Sequence, residues 1–159
     1  MKRRSRAREV ALQLLFQRDF NTGVARADLE QFARDRLRDE ALEVFCLGLF
    51  DGVTAHLAEL DRRISAAAEN WRLHRMPAVD RNILRLGTYE LVHAEDTPVA
   101  VAVDEAIELA KRFGSADSSS FVNGVLDQVR RAASAPALAP AAADAPAAIT
   151  DPGSGPDPG

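Results

Sequence analysis

The sequence predicts an all-α protein. Three observations carry that reading. Apolar residues recur at intervals of three and four along most of the chain; β-branched residues follow the same spacing instead of alternating; and Gly, Pro and cap-forming residues divide the pattern into helix-sized lengths. At 159 residues, with 47% apolar and 28% charged, the chain suffices for one packed domain and leaves little room for a second.

The first helix is expected from about Ser5 to Phe20, with Ala7, Val10, Ala11, Leu14 and Leu15 on its main stripe and Leu12 and Phe16 widening it. Asn21-Thr22-Gly23 stops it. A second helix, Ala27 to Arg38, presents Leu29, Phe32, Ala33 and Leu37. In the third segment Leu42, Cys46, Leu49, Val53, Leu57, Leu60, Ile64 and Ala67 step by three or four throughout. A single helix of ~26 residues there would be ~40 Å long, the spine of a small bundle. Gly48 and Gly52 lie one turn apart beside that stripe, and close approach of a neighbouring helix would offset their ~1 kcal/mol cost.

Pro77 suits the first turn of a fourth helix ending near His93, with Val79, Ile83, Leu86 and Gly87 inward. Glu90 falls near the middle of that face. A buried carboxylate must be paired or protonated, so a basic partner from another helix is expected. Thr97 reads as the cap of the fifth helix, with Pro98 in its first turn and Gly114 at its end. Its predicted apolar face is Val99, Val103, Ala106, Ile107, Ala110 and Phe113. Asp117 reads as the N-cap of the sixth, which buries Phe121, Val122, Val125, Leu126 and Val129.

The fold is expected to occupy residues 1–133. Residues 134–159 hold six of the eight prolines, three glycines and no Lys or Arg, a composition that predicts disorder. That tail carries −3 of the net −4, so the folded part is nearly neutral, yet Lys2, Arg3, Arg4, Arg6 and Arg8 crowd five cations into its first eight positions. A globally basic nucleic-acid binder is excluded; a local basic arm is not.

Catalytic and metal chemistry find little support. Cys46 is the sole cysteine and reads as a small core residue. His56, His74 and His93 are 18 and 19 positions apart, which is not metal-ligand spacing, and neither a nucleophile arrangement nor a phosphate-cradling Gly-rich loop is present. No enzyme, metal or cofactor is expected. No run approaches the ~18 apolar residues of a membrane span, and Ala7 to Phe16 is too interrupted for a signal-peptide core. A reducing cytoplasm fits best.

The basic start is the leading functional candidate. Cations at a helix N-terminus oppose the macrodipole at ~0.3–1 kcal/mol each, so Arg3, Arg4, Arg6 and Arg8 weaken the helix they open unless an anion neutralises them. Arginine outnumbers lysine 18 to two, and its planar fork suits phosphate. The alternative is a solvated charge cluster. A second candidate is Gly114 to Phe121, where unpaired N–H groups and hydroxyls could hold a phosphate and Phe121 could stack on a base. On the residues alone, an ordinary cap with Phe121 in the core is the simpler reading. Trp71 and Tyr89 read as packing anchors.

Four stretches together resemble the NusB family of bacterial transcription antitermination factors. They are Arg3-Arg4-Ser5-Arg6-Ala7-Arg8-Glu9-Val10-Ala11-Leu12-Gln13; Val79 to Leu86 followed by Tyr89-Glu90-Leu91; Asp104-Glu105-Ala106-Ile107-Glu108-Leu109-Ala110-Lys111; and Phe121-Val122-Asn123-Gly124-Val125-Leu126-Asp127. The resemblance covers roughly residues 3–130. It implies a compact bundle of about seven helices, which would divide the long third segment. It further implies a non-catalytic factor that pairs with the ribosomal protein NusE, binds boxA-containing single-stranded RNA in nascent transcripts such as ribosomal RNA leaders, and acts in the RNA polymerase antitermination complex. The resemblance also allows self-association as a homodimer.

By position, the resemblance assigns RNA contact to Arg3, Arg4, Arg6 and Arg8, and to Asp117, Ser118 and Phe121, and it points to Asp80 and Arg81 for the NusE side. Ser120 stands where many relatives have a basic residue, which leaves more of the electrostatics to the arm. The competing reading is a protein-interaction adaptor in RNA or ribosome metabolism with little RNA specificity of its own.

Overall fold

The computed structural model describes residues 3–134. Met1, Lys2 and residues 135–159, with nearly all of the expected disordered tail, lie outside the described residues. Among the described residues there are seven α-helices and no strand: α1 (Arg3–Phe20), α2 (Arg26–Leu37), α3 (Glu40–Ala55), α4 (Leu57–Ala67), α5 (Ala78–Val92), α6 (Val99–Phe113) and α7 (Ser118–Ser134), with one 3₁₀ turn at Leu73–Arg75.

α5 is the centre of the bundle. It packs against α1, α3 and α4 and also against α6 and α7, so Ile83, Leu84 and Leu86 are buried from several directions. α2 closes over α1 and α3. One contiguous core includes Leu14 of α1, Val53 of α3, Leu60 and Ile64 of α4, and Val122 and Leu126 of α7.

The long third segment is two helices, bent by 75° at His56. No Pro interrupts it, and its stripe runs on because both halves face one core. The break is tertiary. The His56 N–H and its ring Nδ1 both bond the Gly52 carbonyl, at 3.1 and 2.9 Å, which closes α3 before α4 begins.

Only Gly52 meets the expected close approach: a Cβ there would collide with the Tyr89 ring of α5, whereas nothing lies within 4 Å of one built on Gly48. Gly87 serves a similar purpose on the other side of α5, where Leu126 and Ala106 press against it. That contact also explains the true face of α6. Ala102, Ala106, Leu109 and Ala110 are buried, while Val99 and Phe113 face outward, because small side chains let α6 approach α5. Thr97 is not a cap; its hydroxyl donates to Glu90 at 3.2 Å, and Pro98 stands just before the helix. Phe16 and Phe20 stack edge to face on the surface instead of widening the core, Phe20 being 72% exposed.

Candidate nucleic-acid interface

α1 opens with no acidic residue in its first turn, so its positive dipole end and its arginines reinforce one another. Arg3 and Arg4 are exposed and Arg6 is half-buried. Arg3 pairs with Asp39, the residue whose carboxylate caps α3 by accepting from the Leu42 N–H at 3.1 Å. The Arg4 guanidinium lies 4.4 Å from the centre of the Phe45 ring and has no acidic partner among the described residues, leaving its donors to solvent. Arg6 holds Glu9 at 2.8 Å, and Glu9 is also held by Arg112 of α6 at 2.7 Å.

Arg8 does not belong to this exposed arm. It is only 4% exposed, makes a bidentate pair with Glu90, and lies 3.5 Å from Glu105. Burial opposes its charge, but hydrogen bonds and attraction from Glu90, with Glu105 behind, outweigh that and raise its pKa. It is therefore the basic partner that the inward position of Glu90 demands, and its guanidinium is buried away from solvent. The arm is three arginines, not four.

The second cluster gathers where α7 begins beside the start of α5. Trp71 and Phe121 meet edge to face with centroids 5.6 Å apart, and with Met76, Pro77, Asp117 and Ser115 they line a cavity of about 270 Å³. Trp71 is 56% exposed, which overturns its reading as a packing anchor; Phe121 is half-buried. Asp117 is exposed just ahead of α7, and its carbonyl accepts from the Phe121 N–H at 3.1 Å.

Ser118 is a correction of the same kind as Arg8. It is buried, its Oγ accepting from the Ser115 N–H at 2.9 Å and donating to Asp80 at 2.8 Å. A Cβ on Gly114 would strike that side chain, so the turn Gly114–Ser118 is built around it. Ser118 lines the same pocket with its hydroxyl already engaged by Ser115 and Asp80.

Asp80 and Arg81 are likewise engaged within the chain. Asp80 is buried under Ser118. Arg81 is bonded to Asp19 at 3.2 Å and to the Met76 carbonyl at 3.2 Å. With Asn82 and Arg85, which also reach Asp19, it fastens α5 to the end of α1. These side chains hold helices together and leave little for a docking protein.

The two clusters stand apart. Arg8 meets α5 at Glu90, and Ser118 meets it at Asp80, ten residues earlier, so about 15 Å of helix axis separates them. The exposed Lys111 and Arg112 of α6 lie in sequence just before the second cluster. Trp71 is the residue that sequence reasoning missed. It sits outside any helical period, between α4 and the 3₁₀ turn, with exposed Arg72 and Arg75 nearby in sequence.

Comparison with known proteins agrees with this architecture. The model of the NusB family matches residues 5–131. The chain is 50% identical over 137 residues to the transcription antitermination protein NusB of Symbiobacterium thermophilum, covering 80% of this chain and 89% of that one. It is 46% identical to the NusB protein of Solibacter usitatus, covering 89% and 97%. Among solved structures, T. maritima NusB superposes with a TM-score of 0.70 at 39% identity, covering 82% of this chain and 92% of that one. A complex of antitermination factors NusB and NusE with double-stranded RNA gives 0.74 at 25% identity, covering 83% and 98%. A family model matched over nearly the whole described chain, and relatives at up to 50% identity over four fifths of it, place the chain in the NusB family.

Proposed function

We propose that this protein is a non-catalytic, RNA-binding transcription antitermination factor. With NusE it binds boxA RNA in nascent transcripts such as ribosomal RNA leaders and promotes read-through by RNA polymerase, work carried out in the cytoplasm. The relatives named as antitermination proteins and the similar complex of NusB and NusE with RNA support this reading. The observation that carries it is the start of α1: Arg3, Arg4 and Arg6 stand together on a helix end with no acid in its first turn, and Arg4, with no acidic partner among the described residues, leaves a positive charge there that phosphate would relieve.

On this reading Arg3, Arg4 and Arg6 position the RNA backbone, and the Trp71–Phe121 pocket with Asp117 takes an unstacked base. The aromatic pair suits a splayed base better than a duplex, whose bases are already stacked. The contact with NusE is not assigned to Asp80 and Arg81.

Binding to boxA RNA and to a scrambled RNA, at two salt concentrations and with NusE added or omitted, tests the proposal. The expected result is a boxA preference that NusE strengthens and salt weakens. Tight binding to NusE with no boxA preference in either state would make the protein an adaptor and overturn it.

A further inference from the structure

We propose that His56, Glu59 and His93 form a binding site for one divalent transition-metal ion of the zinc class. The three residues are far apart in the chain, and the fold brings them together. The corner between α3 and α4 supplies His56 and Glu59, and the residue that ends α5 supplies His93. One ligand atom from each lies within 4.8 Å of the other two, and the two imidazole rings are 4.1 Å apart, tilted by 31°. All three side chains are half-buried, close enough to solvent for an ion to enter.

The donors are prepared for coordination. His56 Nδ1 lies 2.9 Å from the Gly52 carbonyl oxygen. A carbonyl only accepts, so the proton is on Nδ1 and the lone pair of Nε2 is free, the outer-shell arrangement that orients metal-binding histidines. Glu59 is anchored through one oxygen, Oε2, by Arg63 at 2.9 Å, which leaves Oε1 facing His93 Nε2 at 2.9 Å. A tetrahedral zinc with bonds of ~2.0–2.1 Å keeps its ligand atoms about 3.3 Å apart, so the 2.9 Å Glu59–His93 pair must open slightly while His56, within 4.8 Å of both, draws in. For His93 Nε2 to take the metal, its hydrogen bond to Glu59 Oε1 must break and Nε2 must carry no proton.

Two imidazoles and one carboxylate favour Zn²⁺, Co²⁺, Ni²⁺ or Cu²⁺ over Mg²⁺ and Ca²⁺. Three protein ligands leave the fourth position to water. Bound metal would tie the α3–α4 corner to the end of α5, stabilising the bend that interrupts the long apolar stripe. Arg63 stays on Oε2, so the carboxylate keeps its orientation whether or not an ion is present.

The test uses the untagged full chain, stripped with chelator and titrated with Co²⁺ and then Zn²⁺. The expected result is one Co²⁺ per chain with the intense visible bands of tetrahedral N/O coordination, displaced by Zn²⁺, and Zn²⁺-induced shifts of the His56 and His93 ring resonances with those of the exposed His74 unmoved. His56→Gln and His93→Gln, on different helices, should each lower affinity at least tenfold at unchanged helicity, and His74→Gln should not. Weak octahedral binding in the wild type, or shifts at His74 in place of the other two, would overturn the proposal without affecting the RNA reading.

Discussion

Arg8 grips Glu90 in a two-pronged pair buried between α1 and α5: Nε lies 2.8 Å from Oε1 and Nη2 lies 2.8 Å from Oε2. The Thr97 hydroxyl adds a further bond to the same carboxylate. Removing one partner leaves an uncompensated buried charge. Arg8→Ala or Glu90→Ala should therefore cost about 3–5 kcal/mol in urea unfolding, whereas replacing both by Met and Leu should restore much of that loss. A double-mutant cycle checks it, and a cost below about 1 kcal/mol for either single change would deny the pair a structural role.

Trp71 is the sole tryptophan, so its fluorescence reports directly on the aromatic pocket. RNA binding should change its intensity, and Trp71→Ala should weaken binding by about 1–3 kcal/mol per stacked base while leaving the unfolding midpoint nearly unchanged. Phe121 is half-buried and packs against the core as well, so Phe121→Ala should lose both affinity and stability. Parallel anisotropy and thermal melts separate the two outcomes.

The two glycines of α3 should respond in opposite ways. Gly52→Ala would drive a Cβ into Tyr89 and should destabilise by about 1–3 kcal/mol. Gly48→Ala meets nothing within 4 Å and should stabilise by up to about 1 kcal/mol through helix propensity. Urea midpoints of the two variants decide the matter.

Burial pushes the Cys46 thiol up to about 12. Its reaction with a thiol reagent at pH 8 should proceed no faster than unfolding. The raised value also sets a direction for stability. The unfolded thiol ionises near its ordinary 9.0 while the folded one stays protonated, so this contribution is complete below pH 9.0 and declines as pH rises toward about 12. Cys46→Ala should flatten that alkaline limb.

Helix existence and order were legible because Gly23, Pro77 and Gly114 punctuate a strong period. The bend at His56 was not, since both arms of the corner face one core and the apolar stripe passes through unchanged. Arg8 could have been separated from Arg3, Arg4 and Arg6: it lies one turn before Leu12 and two before Leu15, on the inward face, while Glu90 demanded a cation. The two facts had only to be joined. Ser118 was hidden for another reason. Its buried role depends on Asp80, thirty-eight positions away, and no local pattern announces that contact. A separation of thirty-seven positions likewise concealed the meeting of His56 with His93, since spacing along the chain argues against it.

The central claim is that the outward arginines of the first turn of α1 meet RNA. Arginine side-chain N–H resonances, followed while boxA RNA is titrated, test it most directly. The account predicts large shifts at Arg3, Arg4 and Arg6 and none at Arg8 beyond those of the core, with a salt slope that flattens by about 2 when all three become alanine. Saturated binding with the three arm resonances unmoved and an unchanged slope would contradict it.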